Sequence, residues 1–242
     1  MSLSLVDPSE TTPVIEALMT GAWDDKTIQR ISKETPALGA LLMAVAANKS
    51  VGSGREAASM EQAAVLLGAE RLKHATLWFL VIESLKDPGH RSDAITYAGH
   101  AMAMAERWGI PAHKAVSIGM GARFGAMLLR SEKPVSRIIL RILDAAPVAH
   151  RDEFEQFVFQ TTAEQRVHTL CLEQGVPGDL IDCLAPPPMT PEARLAEEVL
   201  NAAVTDTAET RAAARYQIAE IAGMLRTRTR PFEAPTPSSP DE

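Results

Sequence analysis

Apolar residues recur three and four positions apart along most of the chain, the spacing of one helical face. The run Val116, Met120, Phe124, Met127, Leu128 is an example. The pattern predicts helices over 13–20, 24–33, 36–47, 59–67, 69–86, 92–109, 111–130, 134–145, 149–174, 177–184, 190–204 and 207–226. No stretch between turn residues alternates with period two long enough to make a strand, so the fold class is all-α. Local signals agree. Pro36 suits a first helical turn after Thr35. Ser59 followed by Gln62 is a capping-box pattern, and Gly68 ends that helix. Gly109-Ile110-Pro111 stops one helix and opens the next, and Gly175-Val176-Pro177 repeats the device. Short linkers fall at 48–59, 86–92 and 185–191.

One segment resists this pattern. "GMGARFG", residues 119–125, puts three glycines and an arginine inside a helix. Each glycine costs about 1 kcal/mol against alanine in a helix interior. Gly121 and Gly125 are four apart and share a face with each other. With Gly119 and Ala122 they allow another helix to come close, and the expected neighbour is the small-residue stretch "YAGHAMAMA" (97–105).

Composition narrows the function. The 242 residues are 46% hydrophobic and 23% charged, an ordinary globular balance. The formal charge is 24 − 31 = −7, and aromatics are 5%, which argues against binding DNA or RNA. Cys171 and Cys183 lack zinc-site spacing and fit a reducing cytoplasm. The start carries no signal-peptide pattern, and no apolar run is long enough to insert in a membrane. The end, "TRTRPFEAPTPSSPDE", is too poor in apolar groups to join a core.

Several stretches match a known pattern in order and spacing. Ile31, "KETPAL", "AANKS" with Asn48, and "SMEQAAVLLG" ending at Gly68 come first. "AGHAMAMAERWGIP", "AVSIGMGARFGAMLL" and "FQTTAEQRVHTLCLEQGVPGDLIDCL" follow. Over about 28–184 the chain resembles the HDOD domain, a bacterial output and signalling module. The resemblance implies an HDOD-like multi-helix domain of two packed lobes over 13–226. A segment 1–12 precedes it, and a disordered Pro/Ser-rich tail follows over 227–242.

In metal-dependent relatives of that fold, a histidine-aspartate pair on the central helix holds the metal. Here those positions are Ala122 and Arg123. Alanine has no ligand atom, and a guanidinium has no lone pair and repels cations. Asp93 or Ala94, Thr162 and "APPP" (185–188) stand where the other ligands would come. The histidines are His74, His90, His100, His113, His150 and His168; none precedes an aspartate, and no two lie three to five apart. The expectation is no metal, no cofactor and no enzyme activity. Arg123 is expected to pair with Asp93 or another acid.

The resemblance then implies a cytoplasmic, non-enzymatic regulator acting through contacts with another signalling protein. The candidate contacts are Arg123, Arg137, Arg141 and Asn48, each also open to a structural use. Arg137 and Arg141 lie one turn apart and suit a solvated face or a phosphate clamp. Asn48 suits a helix cap or turn. The alternative is a receptor for a cyclic dinucleotide or other nucleotide. A third reading is a divergent metal-dependent phosphohydrolase.

Overall fold

The computed structural model describes residues 14, 16–18, 20–85, 87–132, 135–145, 148–205 and 208–226. Those residues contain no strand. Residues 14, 16–18 and 20 are helical, and then come α1 (Asp25–Glu34), α2 (Pro36–Ala47), α3 (Met60–Ser84), α4 (Pro88–Met104), α5 (Ala112–Glu132), α6 (Arg137–Ala145), α7 (Val148–Phe159), α8 (Ala163–Glu173), α9 (Gly178–Leu184), α10 (Pro191–Thr205) and α11 (Ala208–Arg226). A 3-10 turn, Ala105–Trp108, extends α4. The expected segment 1–12 and tail 227–242 lie outside the described residues.

Most boundaries follow from local chemistry. The Asp24 carboxylate accepts a hydrogen bond from the Thr27 N–H, and Pro36 fills the first position of α2. Ser59 accepts from the Gln62 N–H, while the Gln62 side chain reaches back to the Ala58 N–H. Gly68 stands at φ 69°, so the expected break appears as a kink inside α3. Gly109 and Gly175 also take positive φ, at 66° and 70°, and turn the chain where expected.

Two boundaries correct the sequence pattern. The expected helix 149–174 is two helices. Gln160 takes φ 63°, and Thr162 starts α8 with a reciprocal capping box to Gln165. The expected linker 86–92 is shorter, because Asp87 caps the Gly89 and His90 N–H groups and Pro88 takes the first helical position.

α5 is the spine of the fold. It packs against α3, α4, α8, α9 and α10, while α11 closes over α4 and α2. Val116, Met120, Phe124, Met127 and Leu128 are buried in the main apolar cluster, with Trp78, Leu80, Leu41 and Ile31. That cluster runs from Val14 to Leu225. A second, around Ile118, Leu195 and Val199, lies beneath α10.

The three glycines of α5 face different neighbours. A Cβ on Gly119 would stand 2.5 Å from the Tyr97 carbonyl and 2.8 Å from the Ala101 side chain, so its partner is the expected α4 stretch. On Gly121 it would strike the Leu184 backbone, and on Gly125 the Ala163 backbone. Those two contacts, to the end of α9 and the start of α8, replace the expected α4 contact. Residues four apart share a face, but that face meets the ends of two short helices.

Candidate functional site

α4 positions the acid that Arg123 needs. The Arg123 Nη2 donates to Asp93 Oδ2 at 2.9 Å, the ion pair expected from the sequence. The guanidinium carbon also stands 5.7 Å from the centre of the Tyr97 ring, one turn along α4. Arg123 is mostly buried, with 18% of its side chain exposed, and its Nε has no hydrogen-bond partner. Leu184, just before "APPP", covers Gly121, and Ala163, just after Thr162, covers Gly125. Backbone atoms fill this side of α5. Close by, the buried Glu155 accepts from the Ala163 N–H at 2.7 Å. Burial pushes its carboxyl above the usual range, against the lowering effect of that hydrogen bond.

Asn48 has a structural use on both sides. Its Oδ1 accepts from the Ser50 and Val51 N–H groups at 2.8 and 2.9 Å. Its Nδ2 donates to Glu220 Oε1 at 2.8 Å, and the Ser50 hydroxyl donates to the same oxygen. The α2–α3 loop is thus tied to α11. Arg137 is exposed on α6. Arg141 follows in the same helix, with its side chain outside the described residues. Nothing brings Arg137 to Arg123 or Asn48.

A cluster that the sequence pattern did not join lies on the opposite seam, between α3 and the start of α5. Glu70 and His74 sit one turn apart on α3, and His113 is the second residue of α5. One ligand atom from each lies within 4.8 Å of the others. His113 Nε2 is 3.3 Å from Glu70 Oε1, its nearest polar neighbour, and makes no well-formed hydrogen bond. The two rings meet edge to face, with centroids 5.0 Å apart. His74 Nδ1 lies 2.8 Å from Ser117 Oγ, which also accepts from Trp78 Nε1–H at 2.8 Å. Burial holds the His74 imidazole down to about 4, with the neighbouring His113 adding to the effect. Burial also lowers His113, against the pull of Glu70. Both rings are neutral at pH 7. The Glu70 carboxyl is held below its usual range by His113 and is ionised.

The signal for this cluster was present in the chain as a glutamate four residues before a histidine on one helical face. Searching for paired histidines at helical spacing passes over it, because the third group comes from 39 residues beyond His74 and only the fold brings it near. The expectation of no metal ligands in the sequence is amended to that extent. The remaining reactive groups are quiet. Cys171 and Cys183 are buried and free, and burial pushes their thiols up to about 12 and about 11. No helix among the described residues is long and apolar enough to cross a membrane.

In comparisons with known proteins, no family model, no curated protein and no solved structure matches this chain.

Proposed function

We propose that this chain is an HDOD-like, non-enzymatic bacterial regulator that acts in the cytoplasm through contact with another signalling protein. The observation that carries the reading is the outer face of α6. Ile138 is 72% exposed and Ile142, one turn on, is half exposed, beside the exposed Arg137. Apolar groups on a stable helix gain by leaving water, and a neighbouring guanidinium selects an acidic surface. The partner that fits is a protein with an apolar strip edged by carboxylates. A second copy of this chain is disfavoured by its net charge of −7.

The Arg123–Asp93 pair supports the non-enzymatic half of the proposal. The charge of Arg123 is already matched, and α5 is covered by backbone at Gly121 and Gly125. A nucleotide receptor would then depend on Arg137 and Arg141.

The test starts with a partner recovered by pull-down from the native cell and then purified. Arg137→Glu with Arg141→Glu should weaken its binding at least tenfold and leave the melt unchanged. Arg123→Ala should retain binding. If Arg123→Ala abolishes binding without loss of stability and the double reversal has no effect, the contact surface is the α5 seam and this reading fails; a double reversal that abolishes binding of a nucleotide but not of the partner favours the receptor.

A further inference from the structure

We propose that Glu70, His74 and His113 form a binding site for a zinc-class divalent cation that pins α3 to the start of α5. Two imidazoles and a carboxylate are the mixed nitrogen and oxygen donors that Zn2+ takes, whereas Mg2+ and Ca2+ take oxygen alone. A tetrahedral Zn2+ with ligands about 2.1 Å away sets neighbouring ligand atoms about 3.4 Å apart. His113 Nε2 and Glu70 Oε1 already stand 3.3 Å apart. One ligand atom from each of the three groups lies within 4.8 Å of the others, and the Glu70 side chain is exposed and able to adjust.

An independent observation points to a missing partner. His113 is only 8% exposed, and its Nε2 has no hydrogen bond. Apart from the 3.3 Å contact with Glu70 nothing satisfies this atom, and native structures seldom leave a buried polar atom so poorly paired. A metal ion bonded to that lone pair removes the deficit.

The surroundings of His74 orient it for the same task. Ser117 Oγ accepts from Trp78, and its own hydroxyl has the His113 carbonyl within reach at 3.5 Å. With the hydroxyl turned that way, His74 Nδ1–H donates to Ser117, and its other ring nitrogen presents a lone pair. Metal-bound histidines use such a bond on the second nitrogen to fix tautomer and ring direction. Three protein ligands leave a fourth position for water, on the side where Glu70 meets solvent. Lys114 and Arg71 bring positive charge nearby. Asp179 brings negative charge, although Lys73 pairs with it at 3.5 Å.

The experiment uses the full chain, stripped with a chelator, and titrates Zn2+ alone by calorimetry. Co2+ serves as a parallel probe, since tetrahedral Co2+ absorbs strongly in the visible. The expected result is one equivalent of Zn2+, a tetrahedral Co2+ spectrum, and a thermal midpoint that rises with Zn2+. Glu70→Gln, an exposed change that spares the fold, should weaken Zn2+ binding at least tenfold. Glu70→Gln with His113→Gln should remove both the spectrum and the midpoint shift. Metal-free melts of each variant confirm that it remains folded. One equivalent of Zn2+ held equally by the double variant, or no binding by the folded wild-type chain, overturns the proposal.

Discussion

Two seams run along the same helix and treat buried polarity in opposite ways. On the α4–α5 seam, Arg123 meets Asp93 at 2.9 Å and stacks against Tyr97, and the chain supplies the opposite charge itself. On the α3–α5 seam, His74 finds Ser117, but His113 Nε2 stays without a hydrogen bond. The first seam is also tight, with glycines that admit neighbouring backbone. The second opens to water through the exposed Glu70. A helix interior is close-packed and satisfied where it serves only the fold. Arg123 Nε also lacks a hydrogen bond, so what sets the second seam apart is that three potential donors converge there beside water.

The largest expected effect comes from overfilling the glycine face of α5 where it meets the end of α9. In Gly121→Leu the new Cβ would stand 2.5 Å from Leu184 Cα, and backbone cannot swing aside as a side chain does. Overpacked cores lose about 1–3 kcal/mol, and this site should fall at about 3 kcal/mol in a denaturant melt. A melt that coincides with wild type would mean that the two helices are not in close contact.

The open seam should show itself in acid. Burial holds the His74 imidazole down to about 4, below the ordinary value of about 6.5. As pH falls through this window, the unfolded chain takes up the proton before the folded chain does. Stability is therefore full above about 6.5 and is lost as pH falls toward 4, on the order of 3 kcal/mol from this group. His113 shifts in the same direction. The check is a series of metal-free melts from pH 7 to pH 4 with wild type and His74→Gln. The variant should show a shallower acid slope, and equal slopes would contradict the burial of this ring.

The smallest effect should come from the ion pair. Arg123→Ala leaves Asp93 unmatched, but 46% of the Asp93 side chain is exposed and water can solvate it. A fully buried pair broken on one side loses about 3–5 kcal/mol, whereas exposed pairs contribute about 0–1. The expected loss is about 1 kcal/mol, smaller at high salt, read from urea melts at two ionic strengths.

The legibility of these regions in the sequence was uneven. Helical periods and the Gly-x-Pro signals placed most elements, because caps and breaks are local chemistry. The break at Gln160 was hidden, since a non-glycine residue at positive φ carries no strong sequence mark, and only the Thr162-to-Gln165 spacing hinted at it. The Arg123–Asp93 pair was legible through the resemblance, which aligned both positions. The partners of Gly121 and Gly125 were not, since nothing in a helix says which of several short helices will end against it. Glu70, His74 and His113 required the fold itself, because their convergence depends on where the start of α5 lands beside α3.

The clasp between Asn48 and Glu220 has a consequence for the newborn chain. It joins positions 172 residues apart. At about 5–20 residues per second, Glu220 is made roughly 9–34 s after Asn48. Through that interval the α2–α3 loop has no clasp, and the apolar patch later covered by Ile221, Met224 and Leu225 faces water. The first helices leave the ribosome as an unfinished surface, and α11, translated much later, seals it. A ribosome stalled at residue 205 would therefore hold a chain open to chaperones, and one stalled well past 226 a chain closed to them.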